Sequence, residues 1–136
     1  MTTFVLDSSA MLRLLDKEAG WERVAAILAS HAGGDCGIEI SAIQWGEIGG
    51  RVRKRAGAPE EARVIRKLND LHLRIVDATG ERVLRAAALK VDRGVPYADA
   101  FALDLAMDSA DRVLVTADFD FKKAADLAKI EFLPAK

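Results

Sequence analysis

Apolar residues along the chain fall into short unbroken runs that alternate with longer stretches at helical spacing. TTFVL predicts a first strand over Thr2–Leu6, stopped by Asp7. Ser8 or Ser9 is the expected cap of a helix through Leu15, with Ala10, Met11, Leu14 and Leu15 as its apolar residues. Gly20 restarts the chain, and Trp21, Val24, Ala25, Ile27 and Leu28 mark one side of a second helix ending near His31. AGGDCG reads as a turn. Gly37–Ile40 is a brief second strand, and Ser41 caps a helix from Ala42 to Arg55. Gly57 ends that helix, and Pro59 suits the first turn of the next, which reaches Leu71. HLRIV gives a third strand over His72–Val76. Thr79 caps a helix expected to turn Val83, Leu84, Ala87 and Ala88 inward before Gly94 ends it. Pro96 starts another helix, through Met107. A fourth strand follows at Val113–Thr116, then a short helical piece over Lys122–Leu127 and a fifth strand at Ile130–Leu133.

Helices fill the gaps between strands, the pattern of βαβ units with right-handed crossovers. The expected fold is a single three-layer α/β/α domain over residues 1–136, with a short, mainly parallel central sheet. With 51% hydrophobic and 30% charged residues, a sizeable core and a water-facing surface are both available. Twenty Lys and Arg against twenty-one Asp and Glu exclude a strongly cationic nucleic-acid binder but leave room for a local basic patch. The single cysteine, Cys36, excludes an internal disulfide and a cysteine zinc cluster, which fits a reducing cytoplasm. No basic residue precedes Asp7 and no long apolar run follows, so neither a signal peptide nor a membrane span is expected.

Several acids do not fit the core pattern. Asp7 follows the first strand, and Asp118 follows the fourth. Asp99 stands in the first turn of an otherwise apolar helix, and Glu47 lies in the apolar stretch SAIQWGEIGG. Taken singly, each has an ordinary explanation: a cap, a turn acid, a helix-dipole partner or a solvated glutamate beside Arg51. Asp120, two residues beyond Asp118, is a weaker candidate. Together the readings change, because a parallel sheet carries the ends of its strands to one rim. Carboxylates gathered there repel one another unless a cation neutralises them. Oxygen ligands suit Mg²⁺ or Mn²⁺, whereas zinc more often takes His or Cys. The two histidines, His31 and His72, sit away from these segments.

VLDSSAML at Val5–Leu12, SAIQWGEI at Ser41–Ile48, VPYADAFALDLA at Val95–Ala106 and VLVTADFDF at Val113–Phe121 resemble the signature blocks of PIN-domain nucleases. The resemblance is greatest to the VapC-type toxins of bacterial toxin–antitoxin modules and covers essentially the whole chain. It implies that Asp7, Glu47, Asp99 and Asp118 are the acidic residues of the site and hold the metal. Ser9 and Thr116 match polar positions that help to orient the ligands, and Asp120 resembles an occasional extra acid. Gln44 stands where many relatives carry Asn, keeping the amide on a longer arm. The implied function is Mg²⁺- or Mn²⁺-dependent hydrolysis of RNA by a toxin whose cognate antitoxin blocks the site, with a homodimer as the usual assembly.

No serine nucleophile is needed, since neither Ser8 nor Ser9 has a histidine nearby in sequence to act as base. The run RVRKR at Arg51–Arg55 lies just beyond Glu47. It is either a solvated helix end or a contact to the RNA backbone through Arg51, Lys54 and Arg55, which Arg63, Arg66 and Lys67 could extend. Alternatives are a solitary RNA-processing nuclease of the same family and a metal-dependent phosphatase or other phosphoryl-transfer enzyme. The common aspartyl-nucleophile pattern has an acid two residues after the first, where this chain has Ser9. A non-catalytic binding domain is disfavoured by the retained acids, and a dinucleotide site by the absence of GxGxxG after the first strand.

Overall fold

The computed structural model describes residues 1–136. The strands are β1 (Thr3–Leu6), β2 (Gly37–Ser41), β3 (Arg74–Val76), β4 (Arg112–Thr116) and β5 (Lys129–Phe132). The helices are α1 (Ser8–Asp16), α2 (Trp21–Ala32), α3 (Ala42–Ala56), α4 (Ala58–Asn69), α5 (Gly80–Arg93) and α6 (Tyr97–Ala106), with a 3-10 helix at Phe119–Ala124. All strand pairs are parallel, in the order β3-β2-β1-β4-β5. The chain builds outward from β1 to β3 and then returns to the other side of β1. The switch point of the sheet is therefore the β1–β4 junction, where α/β folds commonly place a ligand.

Alternate residues of the strands enter two cores. Leu6, Ile38, Ile40 and Val115 pack with Met11, Ile27, Ile48 and Leu68 beneath the first four helices. Val5 and Leu114 pack with Phe101, Leu103, Leu105 and Phe121 on the opposite face, under α5 and α6. The three-layer architecture is the one expected from the sequence, with the sheet wholly rather than mainly parallel. Ser41 caps α3 through Ile43 N–H, and Thr79 caps α5 through Arg82 N–H, as the polar residues before those helices implied. No helix is long and apolar enough to cross a membrane.

Four details differ from the sequence reading. The N-cap of α1 is Asp7 rather than Ser8 or Ser9. β3 begins at Arg74, because Leu71 and His72 form a turn in which His72 has a left-handed φ of 55°. The last helical piece starts earlier, at Phe119, because Asp118 accepts Asp120 N–H and caps it. Finally, α5 is rotated: Leu84 is 73% exposed and Ala88 is also exposed, whereas Ala86 is buried.

Ion pairs explain the rotation of α5. Arg82 turns toward α6 and donates to Asp104 at 2.9 Å and to Asp108 at 2.7 Å. Arg85 donates to the other oxygen of Asp104 at 2.6 Å. Nearby, the buried Glu39 of β2 is held by Arg74 and Arg112. A buried carboxylate left without its partners is costly, and so is an arginine left without its carboxylate. We expect Asp104→Ala to lower the unfolding free energy by about 3 kcal/mol, measured by urea denaturation. A change within about 0.5 kcal/mol, the range of an ordinary surface substitution, would show that this network does not orient α5.

Candidate active site

Asp7 emerges from β1 and is 1% exposed. Its Oδ1 accepts Ala10 N–H at 2.9 Å, which caps α1, and Ser9 Oγ–H at 2.7 Å. Its Oδ2 accepts the hydroxyl of Thr116, the last residue of β4, at 2.5 Å. Ser9 Oγ in turn accepts Ala117 N–H at 2.9 Å, and Thr116 Oγ1 accepts Asp118 N–H at 2.9 Å. These two hydroxyls thus fasten the start of α1 to the segment that carries Asp118. Asp120 lends its backbone N–H to the Asp118 carboxylate, while its own side chain is exposed.

Gln44 performs the corresponding task on the other side. It is fully buried; its Oε1 accepts Ser8 N–H at 2.6 Å, and its Nε2 donates to Ala98 O at 2.7 Å. One amide thereby joins α3 to the starts of α1 and α6, beside Asp7 and Asp99. Glu47, one turn further along α3, accepts Ser8 Oγ–H at 3.1 Å.

The result is a cleft of about 420 Å³ at the switch point, lined by Asp7, Glu47, Asp99 and Asp118. Ser9 and Arg51 also line it. Gln44 and Thr116 are buried behind the lining, and Asp120, Lys54 and Arg55 are exposed and outside it. Arg55 is paired with Asp16 at 2.8 Å. His31 is remote, its ring nitrogens facing Cys36 O and His72 O.

The electrostatics are those of crowded anions. Burial pushes the Asp7 carboxyl up to about 6, although the bonds from Thr116, Ala10 and Ser9 pull it down. Asp99 is pushed up to about 7, first by burial and then by its hydrogen bond with Asp118. The charges of Asp118, Asp7 and Glu47 act on it in the same direction. Unlike Glu39 and Asp104, none of these four acids has an arginine or lysine within ion-pair distance.

The donor set fits a hard divalent cation: it offers carboxylate and hydroxyl oxygens and no imidazole or thiolate. No three Asp, Glu, His or Cys side chains form a ready-made metal cage. Mg²⁺ does not require one, because it commonly binds through one or two carboxylates and keeps several waters.

Two contributors were not singled out from the sequence as part of this site. Ser8 joins Gln44 to Glu47, through its N–H and its hydroxyl respectively. Arg13 lines the cleft from the second turn of α1. The available signal was an arginine inside the apolar run AMLRLL, a place where a charge needs a reason.

The fold and the acid-lined cleft together define a parallel α/β domain suited to binding a cation at its switch point. The profile of the PIN domain family matches residues 4–127, and the chain belongs to that family. No curated protein matches the sequence. Among solved structures, the VapBC2 complex of Rickettsia felis bound to a promoter DNA fragment includes a chain that superposes with a TM-score of 0.68 at 18% identity. That match covers 98% of this chain and 100% of the other. Mycobacterium tuberculosis VapC20, described as a toxin that cleaves the sarcin–ricin loop, gives 0.70 at 16% identity, covering 94% of this chain and 98% of its own. A toxin–antitoxin complex from Klebsiella pneumoniae gives 0.67 at 19% identity, with coverage of 97% and 98%.

The raised carboxyls set a pH dependence for the metal-free protein. Asp7 and Asp99 hold their protons to higher pH in the folded chain than in the unfolded one. Above about pH 4 the folded state therefore binds more protons, and unfolding free energy falls as pH rises. The stability present below that pH is lost as pH passes through about 6 and then about 7. Urea titrations in EDTA across this window should show the decline, and Asp7→Asn should flatten its first part. A flat profile in the wild type would show that burial does not raise these two carboxyls.

Proposed function

We propose that this chain is a divalent-metal-dependent endoribonuclease and the toxin of a toxin–antitoxin pair. The observation that carries the reading is the gathering of Asp7, Glu47, Asp99 and Asp118 on one cleft without an internal cation to balance them. Membership of the PIN family and the likeness to VapC-containing structures support it.

In this reading, Asp7, Asp99 and Asp118 hold Mg²⁺ or Mn²⁺, with Glu47 completing the group or holding the attacking water. When bound, the cation supplies charge neutralisation at the phosphoryl oxygens and a more acidic water. The chain's own residues do the positioning. Ser9 and Thr116 keep both oxygens of Asp7 fixed. Gln44 fixes the starts of α1 and α6, so the spacing of Asp7 and Asp99 does not depend on side-chain flexibility. Ser8 holds the Glu47 carboxylate at the rim, where it can accept a proton from water.

The RNA strand passes over this floor with Arg51 beside it, and Lys54 and Arg55 extend the basic strip along α3. These phosphate contacts give affinity and little sequence choice. A small antitoxin is the partner that closes the cleft, a reading supported by the toxin–antitoxin complexes among the structural neighbours. Self-association through α5 is supported by its exposed Leu84 and Val91, which lie two turns apart on one face.

Removing one carboxylate separates catalysis from folding. Asp7→Asn keeps the shape and the capping oxygen but removes a repelling charge, so the metal-free fold should be as stable as the wild type or more so. RNA cleavage should fall by more than about 100-fold, along with stabilisation by Mn²⁺. Asp99→Asn and Asp118→Asn should behave alike, and Glu47→Gln should be severely impaired. Thermal melts with and without Mn²⁺, beside gel assays on a mixed RNA, decide it. Full activity in the Asp7→Asn protein with undiminished Mn²⁺ stabilisation would sink the mechanism.

The toxin half of the proposal has its own readout. Induction of the chain alone should arrest growth and translation, and co-expression of a cognate antitoxin should restore both. Normal growth at high levels of folded protein would leave a nuclease that is not a toxin.

A further inference from the structure

Arg13 is 8% exposed, yet no carboxylate lies within ion-pair distance of it. Its Nη1 donates to two backbone carbonyls, Ala19 O at 2.6 Å and Pro134 O at 2.8 Å. Neither Nε nor Nη2 bonds anything in the protein. No buried side-chain nitrogen or oxygen is left without a partner, so these two groups reach solvent, and Arg13 is one of the residues that line the cleft. Of the other cations that line the cleft, Lys136 is engaged with Glu18, and Arg51 is exposed and unbraced.

The bracing is built into the fold. Gly20 has a φ of +90°, and a Cβ there would lie 3.0 Å from both Leu133 Cβ and Pro134 Cδ. The turn after α1 therefore lies directly against the C-terminal segment, and Arg13 ties the two together. Holding one end of a guanidinium this way fixes the plane of its remaining donors before any ligand arrives, so little further order is lost on binding. A fixed, unbalanced fork of N–H donors is suited to a phosphate.

We infer that Arg13 is a phosphate-gripping residue of the cleft, its free Nε–Nη2 edge taking an oxygen of an RNA phosphate that flanks the one over the acids. The inference rests on the nuclease reading above and adds a residue and a register to it. Arg13 lies six positions beyond Asp7 along α1, a rise of about 9 Å, so it serves a neighbouring phosphate rather than the one being cut. Its fixed position distinguishes it from the exposed Arg51: Arg51 contributes charge, whereas Arg13 sets where the strand lies.

The test uses the full chain carrying Asp118→Asn, in EDTA so that RNA stays intact, with a single-stranded RNA of mixed sequence as probe. In NMR titrations the Nε–Hε resonance of Arg13 should shift with the cleft amides and become protected from solvent exchange. Arg13→Gln in the same background should weaken binding by about tenfold and reduce the salt slope of log Kd by about 0.7, the value for one phosphate contact on a single strand. Arg13→Lys should keep the slope and recover part of the affinity, which a purely bracing role would not predict. An Arg13 resonance that stays still while the cleft amides move overturns the inference and leaves the nuclease reading standing, as does an unchanged slope in folded Arg13→Gln. If cleft amides do not move and RNA does not bind, the inference falls, and the nuclease reading is decided separately by the cleavage assays on Asp7→Asn. Because the resonance is read with Arg13 intact, the result does not depend on whether Arg13→Gln folds.

Discussion

The structure turns on the burial of one carboxylate. Asp7 caps α1, accepts the hydroxyl that ends β4, and lines the cleft. The interactions that place it there do not fully compensate its loss of water. Its pKa is raised to about 6 against the pull of three hydrogen bonds, which corresponds to about 3 kcal/mol against the charged form at neutral pH. A carboxylate kept only as a helix cap has no need of such a position, because an exposed one caps as well. The same atoms that orient α1 therefore hold a charge that no arginine or lysine of the chain pairs with.

The rest of the chain shows that this lack of compensation is local. Buried acids elsewhere are matched by arginines: Glu39 by Arg74 and Arg112, and Asp104 by Arg82 and Arg85. Their partners come from separate elements, so the pairs also tie β2 to β3 and β4, and α5 to α6. At the switch point the equivalent positions are filled by Ser9, Thr116 and Gln44, which fix geometry without cancelling charge. Neutral donors fix the carboxylates and leave the negative field of the cleft in place. An arginine there would have stabilised the fold and occupied the site.

Much of this was legible in the sequence. Strands buried on both faces read as short apolar runs between helices, and the sheet follows from their alternation with helices. Acids at strand ends were conspicuous because nothing in a core explains them. What could not be read has a common cause in contacts between residues far apart in the chain. Leu84 was expected inside because periodicity sees only one helix, but Arg82 is drawn inward by Asp104 and Asp108 from the next. His72 leaves the strand pattern because its backbone takes a left-handed turn. Asp7 was weighed as either a cap or a functional acid, and the structure shows a cap that also faces the cleft. Arg13 stands out in the run AMLRLL, but its bracing is hidden for the same reason: the carbonyls that hold it belong to Ala19 and Pro134, and the second lies at the far end of the sequence.

Charge, finally, is sorted across the cleft rather than merely balanced. Asp16 and Glu18 on the rim are quenched by Arg55 and Lys136, so they add little to the field over the acids. Glu47, Asp99 and Asp118 keep the floor negative, while Arg13 and Arg51 stand on the walls without acidic partners. A small anion would be repelled by the floor, and a lone cation would gain nothing from the walls. In the nuclease reading, the walls would draw a chain of phosphates and a divalent cation held by the acids would neutralise the floor. That arrangement also explains why a near-neutral protein need not bind RNA strongly over its whole surface. Attraction would then be confined to the one place where the strand and the cation meet, while pairs such as Arg93 with Asp126 and Arg23 with Glu131 neutralise charge elsewhere on the surface.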